Sequence, residues 1–163
     1  MCGIAGFIAT RSLDYKSVLD TMVLKMHHRG HDTNGIWFDD HLKIGLGHAR
    51  LSIVDLSETG HQPMESISGQ YLMVFNGEIY NHLDLRKQLE KIQGINWRGT
   101  SDTETILTGI EFWGLEKTIE NCVGMFAIAL LDTEEETLTL IRDRMGEKPI
   151  YYGWVNQNFV FAS

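Results

Sequence analysis

Apolar positions in this 163-residue chain follow two periods, and the alternation between them marks out its elements. Residues 3–9 are small or apolar throughout, as in a buried strand. Asp14 then stands where a helix N-cap is expected, and Leu19, Met22, Val23 and Met26 recur at helical spacing after it. Gly30 is expected to stop that helix by taking a positive φ. Residues 43–54 contain strand-like material. Residues 71–75 form a short apolar run ending at Asn76-Gly77, which on local grounds reads as a tight turn. A second helix is predicted from Asn81, with Leu85, Leu89 and Ile92 as its buried stripe. A third begins at Ser101, where Ser101 and Glu104 make a capping-box pattern; it turns Ile106, Ile110 and Trp113 inward and stops at Gly114. From residue 125 onward the pattern is all strand, at 125–131, 137–142, 150–155 and 159–162, with turns at 132–136 and 156–158. Strands at both ends and helices between them suggest two sheets flanked by helices rather than alternating βαβ units.

Composition narrows the function classes. A net charge of −8, from 14 Lys+Arg against 22 Asp+Glu, with no basic cluster, argues against a nucleic-acid partner. No apolar stretch approaches membrane-spanning length, and the short apolar N-terminus is split by Gly6 and lacks a basic region before it, unlike a signal peptide. With only Cys2 and Cys122, a disulfide scaffold is not indicated, and a reducing cytoplasmic location is expected. No G-x-G-x-x-G and no P-loop lysine is present, so no nucleotide site is visible.

Cys2 carries the most chemical information. Removal of an initiator Met before a small residue is common, and it would leave a cysteine with its own free α-amine. Such an amine titrates near ~8 and can serve as a base at neutral pH. A thiol beside it is an activated nucleophile. The competing reading is a small buried residue near a chain start. If the amine is blocked, His48 is the alternative base. Asn76 and Gly77 admit a second reading as an oxyanion hole, an amide side chain and a backbone N–H converging on one oxygen. Arg50 lies in an apolar stretch and needs a partner, either a structural ion pair or a substrate carboxylate held by a bidentate contact. Asp102 is an ordinary helix-start residue that could equally hold a substrate ammonium. The His27–Asp32 segment lacks usual ligand spacing, so no metal site is expected. Arg142, Asp143, Arg144 and Lys148 read as a solvated charged hairpin.

Eight segments together resemble the class II, N-terminal-nucleophile glutamine amidotransferases. They are Cys2-Gly-Ile-Ala-Gly-Phe7, Arg29-Gly-His-Asp32, Gly47-His-Ala-Arg-Leu-Ser-Ile-Val-Asp-Leu-Ser57, Gln62-Pro-Met64, Phe75-Asn-Gly-Glu-Ile-Tyr-Asn81, Ser101-Asp-Thr-Glu104, Arg142-Asp-Arg-Met-Gly-Glu-Lys-Pro149 and Phe161-Ala-Ser163. Any one could arise by chance, whereas all of them in this order are specific. Arg-Leu-Ser-Ile-Val-Asp and Asn-Gly-Glu-Ile-Tyr-Asn point to the glutaminase domain of asparagine synthetases. The resemblance implies an α+β fold of the N-terminal-nucleophile hydrolase type, a four-layer αββα sandwich of two mainly antiparallel sheets.

It also implies roles. Cys2 attacks the side-chain amide of glutamine, Asn76 and Gly77 hold the oxyanion, Arg50 binds the α-carboxylate, and Asp102 with Glu78 binds the α-ammonium. Residues 1–163 are then a type 2 amidotransferase domain, truncated and without its ATP-dependent synthetase partner. No cofactor is expected in this domain, since ATP and Mg belong to the synthetase domain. The resemblance allows a homodimer of the full-length protein. The ammonia acceptor is aspartate in the leading reading, and a sugar acid or other carboxylate in the alternative. A non-enzyme reading, an inactive scaffold or regulatory domain, is disfavoured by the presence of Cys2, Arg50, Asn76, Gly77 and Asp102 together. One departure is His31, where the family usually has proline, so that loop lacks a fixed φ.

Overall fold

Two stacked antiparallel sheets form the centre of the computed structural model, which describes residues 2–11, 14–51, 58–92 and 94–163. In chain order the elements are β1 (Gly3–Ile8), α1 (Tyr15–Lys25), β2 (Thr33–Asp39), β3 (Ile44–Arg50), a 3₁₀ turn at Glu58–Gly60, β4 (Met64–Glu65) and β5 (Tyr71–Ile79). They continue with α2 (His82–Leu89), α3 (Asp102–Trp113), α4 (Leu115–Asn121), β6 (Gly124–Asp132), β7 (Thr137–Arg142), β8 (Tyr151–Val155) and β9 (Asn158–Ala162). One sheet has the order β2-β3-β1-β9-β8 and the other β4-β5-β6-β7.

Side-chain alternation along each strand decides what fills the layers. Ile4, Ile44, Leu46, Leu72, Val74, Ala127, Ala129, Leu131 and Phe161 pack between the sheets. The opposite face of the first sheet carries Ala5, Phe7 and Ala49 under Tyr15, Leu19 and Val23 of α1. The opposite face of the second carries Met73, Phe75, Ile79, Phe126 and Ile128 under Leu85 of α2 and Ile106, Leu107 and Ile110 of α3. Burying each large aliphatic side chain contributes about 1.5–3 kcal/mol. The layer order is helix, sheet, sheet, helices, as the sequence pattern and the resemblance imply.

Several helix ends match their predicted signals. The Asp14 carboxylate accepts from Ser17 N–H at 3.1 Å and Ser101 Oγ accepts from Glu104 N–H at 3.1 Å. Gly114 ends α3 with φ 84°. Others differ. Gly30 does not take a positive φ; α1 ends five residues earlier, and Gly30 is instead required by the close approach of the Ala49 backbone, which a Cβ would strike. Asn81 stands at the N-cap of α2 without capping it, because its side chain bridges Asn121 O at 2.9 Å and Val123 N–H at 2.9 Å. Ile92 lies beyond α2. Glu104 does not complete the capping box; it accepts from Arg98 N–H (2.6 Å) and Gly99 N–H (3.0 Å) and pairs with Arg86 and Arg98 at 3.7 Å.

The segment 142–149 is a built loop rather than a solvated charged hairpin. Asp143 is buried, and accepts from the N–H groups of Phe126 (3.2 Å), Glu147 (2.9 Å) and Lys148 (2.9 Å). Burial alone would raise its pKa, but these donors and Gly146 hold it below the usual carboxylate range. Lys148 is buried as well, and Arg142 caps the carbonyls of Lys148 (2.9 Å) and Gly146 (2.5 Å).

Candidate active site

Asn76-Gly77 is not a turn. Strand β5 runs through both residues to Ile79, with Asn76 opposite Ala127 and Gly77 opposite Phe126 on β6. Neither residue has positive φ. A Cβ on Gly77 would strike the Met125 carbonyl and come within 2.8 Å of Phe126 Cα, so close strand packing is what requires glycine there. The Asn-Gly signal for a hairpin was overridden by the pairing of β5 with β6, whose alternating apolar residues bury both faces of the sheet.

Four of the six predicted site residues, Cys2, Arg50, Asn76 and Glu78, share the inter-sheet face at one end of the sandwich. Cys2 immediately precedes Gly3, which pairs with Ala49, so its register neighbour is Arg50 at the end of β3. Its Sγ lies 3.4 Å from Leu51 N and 3.5 Å from Leu51 O, and Arg29 Nε donates to the Cys2 carbonyl at 3.3 Å. Cys2 is half-buried and Arg50 is buried. Asn76 follows Leu72 and Val74 on the same face of β5, and its side chain is 1% exposed. Its Nδ2 donates to Ser163 Oγ at 3.4 Å, and that hydroxyl accepts from Ile4 N–H at 3.1 Å. The Asn76 amide is thereby linked to the strand that carries Cys2, two residues away. Nδ2 bears two N–H groups, so the Ser163 contact leaves one for another acceptor.

Gly77 contributes its backbone. Phe126 directs both its N–H and C=O to Asp143 on the far side, so Gly77 and Phe126 are a pair without ladder bonds. The N–H of Gly77 therefore points away from β6, toward the flank that β4 covers only as far as Met73. On that flank Phe75 N–H donates to Gln62 Oε1 at 2.6 Å and Ile79 N–H to Asp102 Oδ2 at 3.0 Å. Gly77 N–H, between them, has no partner among the described residues.

Asp102 opens α3 on this flank, buried, with its second oxygen accepting from Thr103 N–H at 2.9 Å. Burial pushes its carboxyl above the usual range, against the opposing pull of Ile79 N–H and nearby His82. Glu78 is half-buried on the face of β5 that carries Asn76. His48, the alternative base, is unsuited to that task. It is 1% exposed, and burial pushes its imidazole down to about 3, too weak a base to take a thiol proton at neutral pH. The segment 52–57, part of the longest motif, and Met1 lie outside the described residues.

Among the described residues no three His, Cys, Asp or Glu side chains are grouped as metal ligands. His27 and His31 meet ring edge to face at 6.4 Å, and His31 Nε2 lies 3.7 Å from Asp32 Oδ1. No described helix is long and apolar enough to cross a membrane.

A family model for the glutamine amidotransferase domain matches residues 1–163. This chain belongs to that family. The putative glutamine-hydrolysing asparagine synthetase 2 of Methanocaldococcus jannaschii is 37% identical to it over 179 residues, covering 100% of this chain and 34% of its own. Glutamine-hydrolysing asparagine synthetase 3 of Bacillus subtilis is 36% identical over 167 residues, covering 100% and 26%. The chain thus spans about a quarter to a third of the length of these curated relatives. A solved structure of glutamine phosphoribosylpyrophosphate amidotransferase from B. subtilis, complexed with ADP and GMP, matches the fold with a TM-score of 0.78 at 21% identity, over 99% of this chain and 41% of that one. The domain is a glutamine amidotransferase related to the glutaminase domains of asparagine synthetases.

Proposed function

We propose that this domain hydrolyses glutamine to glutamate and ammonia through a thioester on Cys2, and passes the ammonia to an ATP-dependent synthetase domain that makes asparagine from aspartate. The observation that supports this most is the convergence of Cys2, Arg50 and Asn76 at one end of the inter-sheet layer, beside the unpaired N–H of Gly77.

The α-amine of a processed Cys2 takes the thiol proton, and Sγ attacks the amide carbon of the glutamine side chain. The carbonyl oxygen becomes an oxyanion, which the remaining N–H of Asn76 Nδ2 and the N–H of Gly77 stabilise. As the C–N bond breaks, the ammonium of Cys2 returns its proton to the leaving nitrogen and ammonia departs. Water then adds to the γ-glutamyl thioester and releases glutamate with the thiol restored. Arg50 holds the α-carboxylate; Asp102 and Glu78 receive the α-ammonium. The two-oxygen geometry of a carboxylate suits a guanidinium better than a lysine ammonium.

Replacing Asn76 with alanine is expected to lower kcat by about 10²–10³, the usual loss for one oxyanion donor. Arg50→Lys is expected to raise KM for glutamine with kcat nearly unchanged, since the carboxylate contact is equally strong in ground and transition states. Steady-state ammonia release separates the two. A change confined to KM at Asn76 would remove it from the oxyanion site, and a change confined to kcat at Arg50 would remove it from carboxylate binding.

Aspartate as acceptor is the reading that the named relatives favour. The acceptor is selected outside this domain, so a sugar acid or other carboxylate fits the same glutaminase chemistry. Product analysis of the full-length protein with glutamine, ATP and aspartate decides between them.

A further inference from the structure

The flank of β5 that β4 leaves uncovered presents the backbone groups of Phe75, Gly77 and Ile79. In a continuous sheet a neighbouring strand would pair all three. Here side chains do so selectively. Ile79 N–H goes to Asp102 and Phe75 N–H goes to Gln62 Oε1 at 2.6 Å. Among the described residues only Gly77 N–H, between two pinned neighbours, is left for a ligand.

Gln62 is placed to make this arrangement rigid. It is buried, and its Nε2 donates to Thr103 Oγ1 at 3.2 Å, one residue from Asp102. One side chain therefore ties the start of α3 to the residue preceding Asn76. Its backbone is fixed from the other sheet: a Cβ on Gly35 of β2 would collide with the Gln62 carbonyl.

We infer that Gln62 is a positioning residue of the glutaminase reaction: by bridging Thr103 to the Phe75 N–H, it fixes the strand segment that presents the Asn76 amide and the free Gly77 N–H to the developing oxyanion. This rests on the function proposed above. Gln62 touches no reacting atom. Its effect falls on the transition state, because a donor misplaced by a fraction of an ångström still permits substrate to bind while it no longer meets the oxyanion.

The test is steady-state glutamine hydrolysis by the processed protein and by Gln62→Met, Gln62→Glu, Asn76→Ala and the Gln62→Met/Asn76→Ala double variant, with Cys2→Ala as blank and melting temperature recorded for each. Met fills the space of Gln without either hydrogen bond, and is expected to lower kcat on the order of ten- to a hundredfold, the range that misplacing a catalytic group produces, with KM within about twofold. Glu keeps the acceptor for Phe75 N–H, and the Thr103 hydroxyl can turn to donate to it, so kcat should recover to within a few-fold of the parent. In the double variant the two losses should not multiply, since Gln62 acts through the donor already removed. An unchanged kcat in Gln62→Met, losses that multiply in full, or a drop that follows the melting temperature without rescue by Glu would overturn the assignment. If Cys2→Ala retains activity, the glutaminase reading fails first; if Cys2→Ala is inert and Asn76→Ala slow while Gln62→Met is normal, only the role of Gln62 fails.

Discussion

Protein that still carries Met1 is expected to be fully folded and to release no ammonia from glutamine. With Met1 attached, the α-nitrogen of Cys2 is an amide, whose lone pair is delocalised and cannot accept the thiol proton. A free α-amine titrates near ~8 and is partly unprotonated at neutral pH. His48, the imidazole that the sequence offers as a substitute, is pushed by burial down to about 3. General-base assistance contributes about 10²–10⁴ in rate. Folding should be indifferent: Cys2 stands outside β1, and the core begins at Ile4. Intact mass reports whether Met1 is present, circular dichroism reports the fold, and an ammonia assay on the same sample reports the chemistry. Full activity in a sample shown to retain Met1 would assign the base to another group.

The architecture was legible wherever a local signal and the tertiary demand agreed. Asp14, Ser101 and Gly114 mark helix ends by groups that act within a few residues, and each does so in the structure. The strands of the last third alternate between sheet faces and were placed within a residue or so. Gly30 and Asn76-Gly77 depart from their local signals for one reason. Glycine and Asn-Gly signal positive φ, yet here they are required by close backbone approach, to Ala49 at Gly30 and to Met125 and Phe126 at Gly77. That demand comes from a partner strand distant in sequence. Helix α4 was missed because Gly114, read only as a stop, also begins it. Strand β2 was missed because its exposure does not alternate.

The candidate site is legible in the sequence as a set of residue types and not as a network. Cys2, Arg50, Asn76, Gly77, Glu78 and Asp102 could be named from motifs. Gln62 and Ser163 lie within motifs that do not by themselves assign them a task. Their tasks depend on partners 13 and 87 residues away, Phe75 N–H and the Asn76 amide. Asp143 was misread as solvated because its donors, Phe126, Glu147 and Lys148, are backbone groups that carry no sequence signature.

Replacing Cys2 with alanine carries the largest expected effect and bears most directly on the central claim. The substitution removes the sulfur that forms the thioester while leaving the α-amine, the Asn76 amide and the Gly77 N–H in place. Without a nucleophile these groups can only stabilise direct attack by water, and removing any one member of a nucleophile-and-base unit abolishes most of what the unit supplies. Stability should be nearly unaffected, since Cys2 is half-buried and, among the described residues, its Sγ makes only long hydrogen-bond contacts, at 3.4 and 3.5 Å, to the Leu51 backbone. The decisive measurement is ATP-independent release of ammonia and glutamate from glutamine by processed parent and Cys2→Ala proteins matched in melting temperature. The account predicts turnover in the parent and none above the blank in the variant; comparable release by both would contradict it.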